Sequence, residues 1–115
     1  MSDINPRRGE ISIKLGEKTF KGKVTLDAMM RIENSMQLGI VKIAQRLSDG
    51  DITLSEIGTI LTPVIRGGAN DISEQDVMKL VWQSGMMEGM KIVGEIISMA
   101  LSPDNEKKAK ALAKN

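Results

Sequence analysis

The chain has 115 residues, of which 41% are hydrophobic and 27% are charged, and its net charge at pH 7 is +1. This length suits one domain with a single core. The chain contains neither Cys nor His, which excludes disulfides and a thiol nucleophile and removes the usual general base near neutral pH and the commonest transition-metal ligand.

The N-terminal part predicts a short arm followed by a β-hairpin. Residues 1–8 are polar and contain Pro6, so we expect a flexible arm there. Apolar and polar residues then alternate on both sides of Gly16-Glu17, which predicts a hairpin over about residues 9–24. Its inner face would carry Ile11, Ile13, Leu15, Phe20 and Val24, and its outer face Lys14, Lys21 and Lys23. A lone hairpin is marginal in water, so it must pack on helices or pair with another chain, and its exposed edge favours a homo-oligomer.

Two short helices are predicted after the hairpin. Thr25 provides an N-cap for the first, whose inner stripe would be Met29, Ile32 and Met36 and which should end near Gly39. The second would turn an apolar face made by Ile40, Ile43, Ala44 and Leu47 towards the core, and would stop at residues 48–50.

Two further helix starts carry an N-cap hydroxyl followed three residues later by a carboxylate. These pairs are Thr53 with Glu56 and Ser73 with Asp76. The helix that starts at Thr53 contains Pro63, where we expect a kink. We expect Gly67 and Gly68 to stop it in the left-handed conformation that helix ends often adopt.

The last part of the chain predicts two helices separated at Ser84-Gly85, the second strongly apolar. Gly85, Gly89 and Gly94 predict close approach of a neighbouring backbone. Beyond Leu101, residues 102–115 begin with Ser-Pro and are basic, so we expect a flexible tail. The whole pattern predicts an α+β fold that is mostly α, with four to five short helices after the hairpin and one globular domain over residues 9–101.

Methionine is the one unusual feature of the composition, with nine residues in the chain. Flexible thioethers fill gaps in cores, but they also form surfaces that adapt to apolar partners. Trp82 lies off the apolar stripe of its helix, so it contacts either a second part of this chain or a partner. Our candidate partner-binding residues are Met78, Trp82, Met86, Met87 and Met90.

The sequence contains no pairing of a nucleophile with a base, no phosphate-binding loop and no set of calcium ligands. We therefore expect no enzyme activity, no cofactor and no metal. One Trp, one Phe and no Tyr leave few rings to stack on bases, which argues against nucleic-acid binding. The N-terminus lacks the apolar segment of a signal peptide and no apolar run is long enough to span a membrane. We therefore expect a protein of the cytoplasm.

Four pieces of the sequence follow one another in a distinctive order over about residues 8–101. They are the hairpin with the T-L-D-A helix start at Thr25, the I-A-x-x-L-x-x-G-D run from Ile43 to Asp51, the I-R-G-G stop before Ala69, and the segment D-I-S-E-Q-D-V-M-K-L-V-W that ends at Trp82. In this order of elements the chain resembles the gene-transfer-agent family of tailed-phage tail proteins. The resemblance implies that the expected cytoplasm is that of a bacterial host. Members of this family are described as tail assembly chaperones or as tail tube proteins.

The resemblance implies a phage or prophage tail assembly chaperone that binds the tape measure protein and helps the tail tube protein to polymerise around it. The alternative is a structural component of the tail tube. A small DNA-binding regulator is a third hypothesis, suggested only by the short helices and the basic hairpin and tail.

Overall fold

The computed structural model describes residues 9–101 of the chain. The predicted arm (1–8) and tail (102–115) lie outside the described residues. In chain order the elements are β1 (Glu10–Leu15), β2 (Lys18–Lys23), α1 (Leu26–Met36), α2 (Ile40–Ser48), α3 (Leu54–Gly67), α4 (Glu74–Ser84) and α5 (Met86–Leu101). This confirms the predicted α+β fold of a hairpin followed by short helices, which number five over this range.

The hairpin pairs β1 with β2 in antiparallel register, so that Leu15 opposes Lys18 and Glu10 opposes Lys23. Gly16 opens the two-residue loop with a φ of +65°, a value that favours glycine at this position of a tight hairpin turn. The inner face of β1 is almost completely buried, and the predicted outer lysines are exposed.

Helix α3 is the centre of the fold, because it contacts β2, α1, α4 and α5. It begins with the predicted capping box, in which the Thr53 hydroxyl accepts from the Glu56 N–H and the Glu56 carboxylate accepts from the Thr53 N–H. The core around it consists of buried aliphatic side chains from β1 and from all five helices, and Phe20 of β2 packs against it partly buried. Its fully buried members include Ile13, Leu15, Ile32, Ile43, Ile57, Ile60, Leu61, Val64, Ile65, Val77, Val81, Val93 and Ile96.

The end of α3 differs from the prediction for Gly67 and Gly68. Gly68 has a φ of −89°, and the left-handed residue is Ala69, at +70°. Glycine is needed at 68 for another reason: a Cβ there would overlap the carbonyl oxygen of Lys21 in β2. The glycine pair therefore lets the end of α3 lie directly against the hairpin backbone, and Asn70 fastens the contact by donating through Nδ2 to the same carbonyl at 2.9 Å.

Helix α1 ends at Met36, slightly before the predicted end near Gly39. The residue that follows the helix in the left-handed conformation is Gln37. Gly39 instead precedes α2, where it offers no side chain to cap the helix. The carboxylate of Glu33 in α1 takes over this role by accepting from the Ile40 N–H at 2.9 Å. The two helices are thus joined by a cap that α1 supplies.

Helices α2 and α3 are also joined by a bidentate ion pair. The Arg46 guanidinium donates to both carboxylate oxygens of Glu56 at 2.8 Å, and it reaches Asp51 at 3.3 Å. The side chains of Arg46 and Glu56 are only about a quarter exposed, at 23% and 25%. The hydrogen bonds from Arg46 are the main reason why the pKa of Glu56 lies below its ordinary range.

Candidate partner-binding surface

Helices α4 and α5 meet at Gly85, and this junction sets the direction of the candidate side chains. As predicted, α4 ends at Ser84 and α5 starts at Met86. Gly85 has a φ of +100°, outside the range that side-chain-bearing residues commonly adopt, so the chain changes direction there between two helical segments. The Gly85 N–H donates to the Val81 carbonyl at 2.8 Å, which closes the last turn of α4.

Val77 and Val81 bury one side of α4 completely. At 100° per residue, Trp82 lies about 120° from the middle of that side. The indole is 70% exposed, and so it is not covered by a second part of the described chain. The inference that Trp82 points away from the apolar line of α4 is therefore correct, and its role as a partner anchor stays a prediction.

Met87 is the second exposed residue at this junction, with 78% of its surface accessible. It is the second residue of α5, and Val93, Ile96 and Ile97 are buried further along the same helix. Trp82 and Met87, here together called the junction surface, present one exposed aromatic ring and one exposed flexible thioether, three residues before and two residues after Gly85 in the chain. Both residue types contribute to protein interfaces out of proportion to their number.

The other three candidate methionines lie partly inside the fold. Met86 and Met90 are half-buried and pack against the core. Met78 lies over Gly58 of α3, where a Cβ on Gly58 would overlap the Met78 side chain. The structure thus brings Trp82 and Met87 to the surface and uses Met78, Met86 and Met90 largely to fill space between α3, α4 and α5.

Sequence reasoning missed a second exposed apolar pair. Leu26 and Met30 are 78% and 53% exposed on α1, and Val41 on α2 is 61% exposed. Leu26 and Met30 are four residues apart and therefore share one face of α1, on the side away from the buried Ala28 and Ile32. The sequence did contain a signal for this exposure, because Leu26 and Met30 both lie outside the predicted inner stripe of α1.

Neither a candidate metal site nor a candidate membrane span is found among the described residues. No group of three or more acidic residues within residues 9–101 is placed to hold a metal ion. None of the helices over this range combines the length and apolar character that crossing a membrane requires. The geometry does provide two exposed apolar side chains, Trp82 and Met87, on helices that pack against α3.

A family model described as "Phage tail tube protein, GTA-gp10" matches residues 8–102. The match covers both strands and all five helices of the described fold. No curated protein and no solved structure matches the chain.

Proposed function

The chain belongs to the phage tail tube protein family GTA-gp10, and on this premise we propose that it is a structural subunit of the tail of a phage or gene transfer agent. The observation that carries the proposal is the extent of the family match, which includes every described element of the fold. The name of that family supports a tube component at least as directly as an assembly factor.

A structural subunit works by contact between proteins, and two features of the described chain suit this task. The first is the junction surface, where Trp82 and Met87 are 70% and 78% exposed. The second is the packed core around α3, which holds α4 and α5 in place and so fixes the direction of these side chains. On this proposal the protein is not an enzyme, and its partners are other proteins of the tail.

The proposal is tested by purifying particles from cells that produce them and measuring the amount of this chain by quantitative mass spectrometry. A structural subunit should remain after density-gradient purification, in a constant ratio to the other tail proteins and at several copies per particle. Presence in the lysate together with absence from purified particles would contradict the proposal.

A second candidate function is a tail assembly chaperone that binds the tape measure protein and is released before the particle is complete. The junction surface favours this candidate too, because an exposed flexible thioether and an exposed indole can adapt to a series of different apolar segments. Its specific test is co-expression: the chaperone should keep a tape measure protein from the same gene cluster soluble. A tape measure protein that stays insoluble would remove this candidate.

The contribution of the junction surface to binding can be measured for either candidate function, with the other tail proteins or with the tape measure protein as the binding partner. The double variant Trp82→Ala, Met87→Ala should weaken capture of the other tail proteins at least tenfold, since buried Trp is among the commonest interface hot spots. The matched control is Leu26→Ala, Met30→Ala, which removes a similarly exposed apolar pair from α1. If the control weakens capture as much as the junction variant, or if neither variant weakens it, the junction surface is not the binding site.

A further inference from the structure

The outer edge of β1 carries backbone groups that the hairpin leaves unused. Opposed residues in an antiparallel pair alternate between hydrogen-bonded and non-hydrogen-bonded positions. Leu15 and Lys18 flank the two-residue loop, and at the other end the Val24 N–H donates to the Gly9 carbonyl. The odd-numbered residues of β1 therefore bond to β2, and the N–H and C=O groups of Glu10, Ser12 and Lys14 point away from it.

The two edges of the hairpin are treated differently by the rest of the fold. On the outer edge of β2, the Lys21 carbonyl accepts from Asn70 Nδ2 at 2.9 Å. The Lys23 carbonyl lies against the end of α3, at 3.0 Å from where a Cβ on Gly67 would be. On the outer edge of β1, no strand within residues 9–101 pairs with the hairpin, and no described residue bonds to the backbone of Glu10, Ser12 or Lys14.

We propose that this edge pairs with β1 of a second copy of the chain, antiparallel and centred on Ser12. In this register Ser12 opposes Ser12 of the other copy, and Glu10 opposes Lys14 in both directions. All three outward residues of each strand become hydrogen-bonded pairs, which joins two hairpins into one four-stranded sheet. Such a contact is isologous, because the same surface is used on both copies and the assembly closes as a dimer.

Charge selects this register from its neighbours. Glu10 and Lys14 lie on the outer face of the strand, two residues to either side of Ser12, so centring on Ser12 places opposite charges directly across from each other. A shift that pairs Lys14 with Lys14 places like charges there, and so does one that pairs Glu10 with Glu10. Those two registers are shifted by four residues. A shift of only two residues pairs Ser12 with Lys14 or with Glu10, so it loses both opposite-charge pairs and leaves one outward residue of each strand outside the pairing.

The same charges make the edge selective. A lysine on an exposed edge strand normally discourages pairing with other chains. Here the partner strand supplies a carboxylate opposite that lysine, so a second copy of β1 is favoured over an arbitrary strand. Ile11 and Ile13 on the inner face are already buried within each copy. The pairing therefore depends on the backbone bonds and on the two charge pairs of the outer face.

The test uses the full chain alone, at a series of concentrations, by sedimentation velocity and light scattering. This inference does not rest on the proposed function, because no other tail protein is present. The native chain should form a dimer. Lys14→Glu and Glu10→Lys should each weaken it about tenfold, because both symmetric pairs change from opposite to like charge.

An equimolar mixture of Lys14→Glu and Glu10→Lys provides the decisive control, because only the mixed dimer has opposite charges at both positions. The mixture should therefore recover the dimer that each variant alone has lost. In the variant Glu10→Lys, the new lysine also faces Lys23 within its own hairpin. This repulsion within the chain is the same in the mixture as in the variant alone. Recovery of the dimer in the mixture therefore cannot come from refolding of the hairpin.

A backbone pair of variants supplies an independent measurement. Ser12→Pro removes an outward N–H of β1 without removing a bond of the hairpin, and Thr19→Pro makes the same change on the outer edge of β2. Only Ser12→Pro should abolish the dimer. A native chain that stays monomeric, a dimer that Lys14→Glu leaves unchanged, a mixture that does not recover, or equal effects of the two proline variants would each overturn the proposal.

Discussion

Two glycines of α5 should respond in opposite directions to the same substitution. Gly89 is buried, and a Cβ built on it would lie 2.9 Å from Val81 Cγ1 and 3.1 Å from Ile57 Cγ2. A Cβ on Gly94 would meet only Leu47 Cδ2, at an ordinary contact distance of 3.6 Å. Gly89→Ala should therefore destabilise the fold or leave it unchanged, and Gly94→Ala should stabilise it.

The magnitudes follow from two terms. Replacing Gly by Ala inside a helix contributes about 1 kcal/mol of stability through helix propensity, and this term is the same at both positions. Overpacking a dense core costs about 1–3 kcal/mol, and it applies only at Gly89. Val81 and Ile57 are β-branched, so their side chains have few alternative rotamers through which to move aside. The difference between the two variants should therefore be about 1–3 kcal/mol.

The assay is urea unfolding of both variants and the native chain, followed by far-UV circular dichroism, which reports helix content, and by size-exclusion chromatography, which reports compactness. The two probes should give the same midpoint if unfolding is two-state. The free energy of unfolding should fall in the order Gly94→Ala, native, Gly89→Ala. If Gly89→Ala is as stable as Gly94→Ala, then α5 does not pack against α3 and α4 as described, and the junction surface has lost its support.

Three further predictions concern caps, charge and exposure. Thr53→Ala and Ser73→Ala should each lower the free energy of unfolding by about 1 kcal/mol, measured in urea, because each removes a side-chain N-cap that the structure contains. The pKa of Glu56 is lowered, chiefly by hydrogen bonds from Arg46, so this carboxylate stabilises the fold above its ordinary pKa of 4.5, and that contribution is lost as the pH falls through the folded-state value. Thermal unfolding of Glu56→Gln and the native chain should therefore differ most near neutral pH and converge in acid, and a constant difference would contradict this. Acrylamide should quench Trp82, the single Trp, almost as well in the folded as in the unfolded chain, since the indole is 70% exposed, and strong protection in the folded chain would mean that the ring is covered.

Sequence reasoning predicted the features that depend on neighbours along the chain. The hairpin, the N-caps at Thr25, Thr53 and Ser73, and the break at Gly85 all follow from residues within a few positions of one another. The direction of Trp82 also depends only on its angle from the buried side of α4. Such features were predictable because their causes are local.

The wrong predictions involve contacts between distant parts of the chain. Gly68 was expected to adopt a left-handed conformation. A glycine is needed there for another reason, because a Cβ would overlap the carbonyl oxygen of Lys21, which is distant in the sequence. Close approach of a neighbouring backbone was expected at Gly85, Gly89 and Gly94. Gly89 instead has tight side-chain neighbours, Val81 and Ile57, and the other two glycines have no tight neighbour. Gly39 does not end α1, because Gln37 takes the left-handed position, and the Glu33 carboxylate caps the following helix.

The candidate partner-binding residues were also only partly predictable from the sequence. Composition pointed to the methionines around Gly85, but it could not separate exposed Met87 from half-buried Met86 and Met90, because that depends on how α5 lies against α3 and α4. The sequence could not predict the environment of Met78 either, because only the structure places it over Gly58. Periodicity gives the angle of a side chain on its helix but not the neighbour that covers it.

Electron cryomicroscopy of purified tails would show whether this chain is a structural subunit of the tail. The proposal predicts density that fits the hairpin and five helices of residues 9–101, repeated in several copies along the tail. Tail density that other chains account for completely, with no copy of this fold, would contradict it.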